Sequence, residues 1–355
     1  IPIVPVGGLT GLVGATVASG GIIVTTDRMN KILNIDQLNK TMTVEAGCIL
    51  ADIQKEAIKH DCLFPLSLGA EGSCRIGGNL ATNAGGVGVL RYGNTRDLVL
   101  GLEVIMPNGD IWDGLKALRK DNTGYDLKNL LIGSEGTLGI ITKAVLKLFP
   151  SPKTTVTVFI ALNELTKVLE LFEGVLKRFG QNVSAFELIS RIGLDMELKH
   201  LNGMHDPFQQ VYPYYTLIEL TTSFEDADLR VAFESLLERF LEDQTIMDAV
   251  FAENERQHSS LWRIREELPA AQSREGGSIK HDISVPVSKT VDFITEASKR
   301  VKELLPDIRP CPFGHIGDGN IHYNLTQPRD ISKNEFMSYS SDLNRVVHDL
   351  VTEMD

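Results

Sequence analysis

Two histidines, His315 and His322, bracket an Asp-Gly dipeptide in the run Gly314-His315-Ile316-Gly317-Asp318-Gly319-Asn320-Ile321-His322. Asp-Gly between alternating residues signals a two-residue hairpin turn. With Asp318 and Gly319 as the turn, His315 faces His322 across the ladder. Directly opposed residues hold their Cβ atoms about 4.5–5.5 Å apart. Two imidazoles so placed can share a zinc ion at about 2.0–2.1 Å each, or pack as a hydrogen-bonded ring pair. Asn324 falls on the same face by the strand period of two. A second group is basic: Arg263, Arg265 and Arg274 lie near Trp262, and Lys280 follows on a strand. A guanidinium grips a carboxylate with two parallel N–H bonds, and an ammonium adds a point charge. Those residues can hold an acid, or simply solvate a helix face.

A third group is three glycine loops in the front of the chain. They are Pro5-Val6-Gly7-Gly8-Leu9-Thr10-Gly11-Leu12-Val13-Gly14, the run LGAEGSCRIGGNLATNAGG at residues 68–86, and Ile132-Gly133-Ser134-Glu135-Gly136-Thr137-Leu138-Gly139-Ile140-Ile141. Without Cβ atoms, consecutive backbone N–H groups can converge on one anion. Any one loop reads equally as a set of tight turns. The spacing is neither G-x-G-x-x-G nor G-x-x-x-x-G-K-[ST], which sets aside the usual dinucleotide and P-loop fingerprints.

The scaffold behind these groups has two textures. Up to residue 150, short apolar strands alternate with the loops: 1–4, 22–26, 42–45, 98–106 and 140–148, with one helix at 50–59. Pro107-Asn108-Gly109-Asp110 reads as a hairpin turn. Beyond Pro150 and Pro152 come strand 155–161 and helix 165–179, then strand 215–222, helix 226–241 and strand 246–252. Strand 279–285 and helix 287–304 precede the histidine segment. Such a pattern predicts an α+β protein with a mostly antiparallel second sheet. The expected division is 1–150, 151–330 and a closing helix over 331–355.

Lys plus Arg is 35 and Asp plus Glu is 47, a net charge of -12 in 355 residues. That surplus repels a polyanion, which sets aside nucleic acid as a partner. No run of 18 apolar residues exists, so no spanning helix is expected. Cys48, Cys62, Cys74 and Cys311 show no C-x-x-C spacing and read as reduced packing residues. Neither end carries a targeting or stop signal, and both read as cuts through a longer protein.

The ordered motifs PVGGLTGLVG, LGAEGSCRIGGNLATNAGG, RYGNTRDLVLGLEVIMPNG, DNTGYDLKNLLIGSEGTLGIIT and FGHIGDGNIHYN carry a resemblance over nearly the whole chain. It resembles the FAD-linked D-2-hydroxyacid dehydrogenases of the vanillyl-alcohol oxidase / p-cresol methylhydroxylase superfamily. The resemblance implies a PCMH-type FAD-binding domain and a second, α+β substrate domain. It implies that Gly7, Gly8, Leu9, Thr10 and Gly11 hold the FAD pyrophosphate. Gly69, Ser73, Gly77, Gly78, Asn79 and Thr82 would line the cofactor further along, with Gly139 and Ile141 beside it. The loops hold no His and only one thiol, Cys74, so noncovalent FAD is expected.

It also implies zinc, or a similar divalent metal, on His315 and His322. The third ligand, a Glu, and the catalytic base, a His, are expected beyond Asp355. The family's W-x-x-R-E and K-x-D patterns select Arg265 and Lys280 for the substrate carboxylate, with Asn324 beside them. Hydroxyglutarate-specific members carry a Thr where Pro269 stands. The implied activity is oxidation of a D-2-hydroxyacid, first D-2-hydroxyglutarate, with D-lactate or glycolate as alternatives. Hydride passes to flavin, and the electrons pass onward to an electron-transfer flavoprotein or quinone, in the cytoplasm or mitochondrial matrix. A homodimer is compatible. An ether-lipid synthase and a noncatalytic flavin-binding subunit are the competing readings; the His pair and the Arg265 and Lys280 cations argue against both.

Overall fold

Alternation of β-branched and small residues builds the front of the chain. The computed structural model describes residues 1–226 and 228–354 and divides into two units, Ile1–Lys153 and Thr154–Asp355. In the first unit β1 (Ile3–Val6) and β2 (Ile22–Thr25) pair in parallel. Next come β3 (Ile32–Asp36), β4 (Thr41–Glu45), α1 (Leu50–Lys59), β5 (Cys62–Leu63), α2 (Ile76–Ala81) and α3 (Val89–Tyr92). Then follow β6 (Val99–Ile105), β7 (Ile111–Gly114), α4 (Leu127–Leu131), β8 (Ile140–Lys147) and β9 (Phe149–Pro150). The main sheet is antiparallel, in the order β3-β4-β8-β6-β7. Leu50, Ile53 and Ala57 lie on one face of α1 and are buried, as are Met42, Val44, Leu102 and Val104 from the strands. Each of the Leu, Ile, Val and Met side chains among them contributes roughly 1.5–3 kcal/mol by leaving water.

The turn at 107–110 forms as expected: Val104 pairs with Trp112 and Ile105 with Ile111, around Gly109 at φ +90°. The helix at 50–59 also matches. Strand β3 was not anticipated: its ILNID sequence is mostly exposed and lacks a sustained apolar run.

The second unit begins with β10 (Thr154–Leu162), α5 (Thr166–Phe179), β11 (Val183–Ser190), α6 (Arg191–His200), β12 (Tyr214–Thr222), α7 (Asp228–Glu242) and β13 (Asp248–Phe251). It continues with α8 (Glu255–Glu266), α9 (Leu268–Glu275), β14 (Ser278–Ile279), β15 (Asp282–Ser284) and α10 (Thr290–Leu304). The last elements are β16 (Arg309–Gly314), β17 (Asn320–Thr326), α11 (Lys333–Ser338) and α12 (Ser340–Met354). One antiparallel sheet runs β13-β10-β12-β11-β16-β17-β14, with β15 also on β17. The expected single strand at 279–285 is thus two short pieces on one edge, keeping one register: Ile279 faces Leu325 and Asp282 faces His322.

Every residue of β11 is buried, so helices cover both sheet faces. Phe186 meets Phe172 of α5, ring centroids 4.8 Å apart. Its neighbour Glu187 therefore points to the opposite face, the one covered by α8. The same alternation on β17 sends Tyr323 toward Phe293 and Ser298 of α10, and His322 and Asn324 the other way.

All four cysteines are free and buried. Burial pushes the Cys48 thiol up to about 11 and the Cys311 thiol to about 12, so both are inert.

Glu197 on α6 is fully buried, and neither carboxyl oxygen has a hydrogen-bond partner among the described residues. Burial first, and Glu267 second, raise it to about 9, against the pull of Arg263 and Arg265. A raised carboxyl stabilises the fold only while protonated: its contribution is complete below the ordinary 4.5 and is lost as pH rises toward 9. Glu197→Gln keeps the shape and removes the titration. Its melting temperature should exceed that of wild type by a margin that widens from pH 5 to pH 9. A constant margin across thermal melts at several pH values would contradict this.

Candidate functional site

In the first unit, the loop after β1 lies against the start of α2. A Cβ on Gly7 would stand 3.2 Å from Gly78 Cα, and one on Gly8 would stand 2.3 Å from the Ser73 carbonyl oxygen. Only bare backbone allows this approach. Among the described residues, the amides of residues 7–11 have no hydrogen-bond partner, which leaves a row of donors free for an anion. Gly7, Gly77, Gly78, Thr82, Gly139 and Ile141 line one cleft. Gly8, Leu9, Thr10, Gly11, Gly69, Ser73 and Asn79 do not line it. Leu9 is exposed at φ +55°.

Glu135 and Gly136 of the third glycine loop also line this cleft, as do Thr16 and Thr26, which the sequence reading missed. Buried in or beside it, the Thr26 hydroxyl and the Asn79 amide oxygen have no partner among the described residues. Orphaned polar atoms beside a glycine cradle fit a polar, phosphate-bearing cofactor such as FAD. Cys74 nearby is buried, and burial raises its thiol.

In the second unit the site is built on α8. Asn254 caps the helix by accepting from the Gln257 amide, 3.0 Å. The Trp262 indole donates to Glu219, 2.8 Å, and Thr157 bridges Glu219 to His258. Those bonds fix the rotation of α8 on the sheet. Arg265, three residues on, then points at the sheet, whereas Arg263 turns outward to Glu267 and the Asn202 carbonyl. Arg274 donates to the His200 carbonyl.

Arg265 is 6% exposed and donates through Nε to Glu187 Oε2 at 2.5 Å. The other oxygen, Oε1, lies 2.6 Å from His315 Nδ1. Glu187 is 1% exposed. Burial pushes its carboxyl up, but Arg265 and His315 outweigh that and hold it at about 2. For His315, burial opposes the charge and Glu187 more than restores it, leaving the ring above its usual value. Burial and Arg265 pull His322 down to about 4, so it is neutral near pH 7.

The expected register of the histidine hairpin is corrected. Phe313, not His315, faces His322, and Cys311 faces Asn324. Asp318 and Gly319 are not a two-residue turn. The loop spans residues 315–319 because Ile316 is buried in the core and the Gly317 amide reaches the Phe186 carbonyl, 3.3 Å. Gly314 at φ +124° bends the chain out of the ladder. His315 still ends beside His322, ring centroids 5.6 Å apart.

Lys280 is exposed, with no ion-pair partner among the described residues, and its register places it opposite Asn324. The buried Asn324 amide donates to Gln272, 2.8 Å, and accepts from the His281 backbone, 3.2 Å. His281 faces away, against Asn344 and His348 of α12. No group of three His, Cys, Asp or Glu side chains among the described residues is placed to hold a metal ion. Glu187 was missed by the sequence reading. Its signal was one acid in the otherwise apolar or small run VSAFELIS.

Residues 1–114 match the FAD binding domain family, and residues 151–349 match the family "FAD linked oxidases, C-terminal domain". The chain is 42% identical over 328 residues to a probable mitochondrial D-2-hydroxyglutarate dehydrogenase of Oryza sativa subsp. indica, covering 92% of this chain and 58% of that one. It is 35% identical to D-2-hydroxyglutarate dehydrogenase of Xanthomonas citri pv. viticola, covering all of this chain and 74% of that one. Thus the chain spans less than two thirds of the rice relative. An alkyldihydroxyacetonephosphate synthase structure superposes with a TM-score of 0.75 at 17% identity, over 99% of this chain and 66% of that one, which is a likeness of fold. The chain belongs to the FAD-linked oxidases, in the family that holds the D-2-hydroxyglutarate dehydrogenases.

Proposed function

We propose that this chain carries out FAD-dependent oxidation of a D-2-hydroxyacid, with D-2-hydroxyglutarate first, to the 2-oxoacid. One observation carries the reading: a buried guanidinium, Arg265, set by Glu187 beside two imidazoles, with Lys280 between the edge pieces β14 and β15. The Xanthomonas relative is named a D-2-hydroxyglutarate dehydrogenase and the rice relative a probable one. Arg265 and Lys280 hold the substrate carboxylate, and Asn324, on the face of β17 that carries His322, stands with them as a further polar group. The cradle from Gly7 to Gly11, with Gly69, Ser73, Gly77, Gly78, Asn79, Thr82, Gly139 and Ile141, holds FAD noncovalently, in keeping with the buried, unreactive Cys74. Bound FAD supplies the acceptor for the hydride that leaves the substrate carbon.

His315 and His322 are two ligands of a divalent metal such as zinc, with further donors from outside this pair. The tie from His315 Nδ1 to a carboxylate is the arrangement that orients metal-bound histidines. Such a metal, when bound, lowers the pKa of the hydroxyl it contacts. Electrons leave to an electron-transfer flavoprotein or quinone. No helix among the described residues is long and apolar enough to cross a membrane. The setting is the mitochondrial matrix or the cytoplasm, and the name of the rice relative, which reads mitochondrial, favours a mitochondrial one.

A second reading has its own support. Pro269 opens α9 with a ring that has no N–H and no hydroxyl, which favours a one-carboxylate acid such as D-lactate or glycolate. Pro269→Thr should raise kcat/KM for D-2-hydroxyglutarate relative to D-lactate about tenfold, the worth of one hydrogen bond to a charged group. An unchanged ratio removes Pro269 from specificity.

The direct test is anaerobic: protein carrying this chain and loaded with FAD should lose its yellow absorbance on adding D-2-hydroxyglutarate but not the L-isomer. Retained colour with D-2-hydroxyglutarate, D-lactate and glycolate alike would end the proposal. Arg265→Lys keeps the charge and loses the planar fork. It should lower kcat/KM by about 10–100-fold in steady-state assays, with flavin content unchanged.

A further inference from the structure

We propose that Glu187 is the positioning residue of this site. It holds His315 in the tautomer with its proton on Nδ1, and it turns Arg265 so that the two terminal nitrogens, not Nε, are left for an incoming acid. The assignment rests on the functional reading above only for what that acid is. The tautomer stands on geometry alone.

Three contacts carry it. Glu187 Oε1 lies 2.6 Å from His315 Nδ1, Glu187 Oε2 lies 2.5 Å from Arg265 Nε, and Arg265 Nη2 lies 3.4 Å from His315 Nε2. A guanidinium can only donate, and an ionised carboxylate can only accept. A neutral ring between the two therefore has one arrangement, with the hydrogen on Nδ1 and the lone pair on Nε2. Glu187 is 1% exposed, so water cannot take its place. The carboxylate sits mid-strand on β11 rather than on a loop, which fixes where both partners must come.

The arginine is set by the same carboxylate. Its Nε–H is spent on Glu187, and Phe313 lies under the guanidinium with its ring centroid 5.3 Å from Cζ. What remains is the Nη1 and Nη2 pair, the edge that can take a carboxylate with two parallel bonds.

The experiment uses protein labelled with ¹⁵N in its histidine rings, and long-range ¹H–¹⁵N spectra at alkaline pH, where the rings are neutral. His315 is assigned by the signals lost in His315→Gln. The expected wild-type pattern is a protonated Nδ1 and a bare Nε2. Glu187→Gln has the same size; its oxygen can still accept from Arg265, but its NH₂ then faces Nδ1. The expected result is transfer of the proton to Nε2 and a fall in kcat of about 10–100-fold, with flavin content unchanged. Glu187→Asp, still an acceptor, should keep the wild-type tautomer and retain more activity than the Gln variant. A bare Nδ1 in wild type overturns the inference, even if Glu187→Gln does not fold. So does a Gln variant that leaves tautomer and kcat alike unaltered. A wild type that oxidises no hydroxyacid overturns the functional reading, while the spectra still judge this one.

Discussion

The pairing of Glu187 with Arg265 and His315 governs the second unit. An ionised carboxylate taken out of water costs several kcal/mol unless charged and hydrogen-bonding partners replace the lost hydration. Glu187 has two partners, drawn from 78 and 128 residues away in sequence. The end of α8 and the loop after β16 must therefore both reach the middle of β11 for the sheet to bury that strand. The candidate site is thus a condition of folding the unit, and its parts cannot drift apart without leaving a buried charge alone. Buried ion pairs of this kind add little net stability over well-packed apolar residues, but they tolerate one arrangement only.

The other acids on this face extend that logic outward. Glu219 takes the Trp262 indole and the Ser184 hydroxyl, and so sets the roll of α8. Glu275, at the end of α9, accepts from Lys199, His200 and Arg309, tying α6, α9 and β16 together. The Gln272 amide accepts from Asn324 and donates to Thr326, tying α9 to β17. Each of these bonds acts on a helix or strand of the second unit rather than on Arg265, His322 or Lys280 themselves.

Much of the scaffold was legible because its signals are local. The α+β class, the helix at 50–59 and the turn at 107–110 follow from apolar periodicity and from Pro-Asn-Gly. The glycine loops could be read as an anion cradle because close backbone approach leaves no room for a Cβ. The Asp318-Gly319 turn misled for the opposite reason. A dipeptide signal describes an isolated hairpin, whereas Ile316 and Gly317 are held by packing against β11, which lies far away in sequence. Glu187 was illegible in its role, since one acid in an apolar strand says only that a partner must exist. Thr16 and Thr26 were equally silent, as ordinary residues that the fold happens to turn into a cleft.

Glu187 and Glu197 show how far environment, rather than residue type, sets the electrostatics here. They lie ten positions apart and both are buried. One faces a guanidinium and an imidazole and stays ionised; the other has no partner for either oxygen among the described residues and stays protonated near neutral pH. The difference bears on Arg265, which feels both. Were Glu197 ionised, the guanidinium would face two carboxylates, and a third, from an incoming acid, would add repulsion rather than pairing. With Glu197 neutral, one carboxylate sets the orientation of Arg265 and leaves its outer edge free to pair with an acid. A buried acid with no hydrogen bond, which by itself looks like a defect in packing, is thereby compatible with an arginine that is both fixed in place and available.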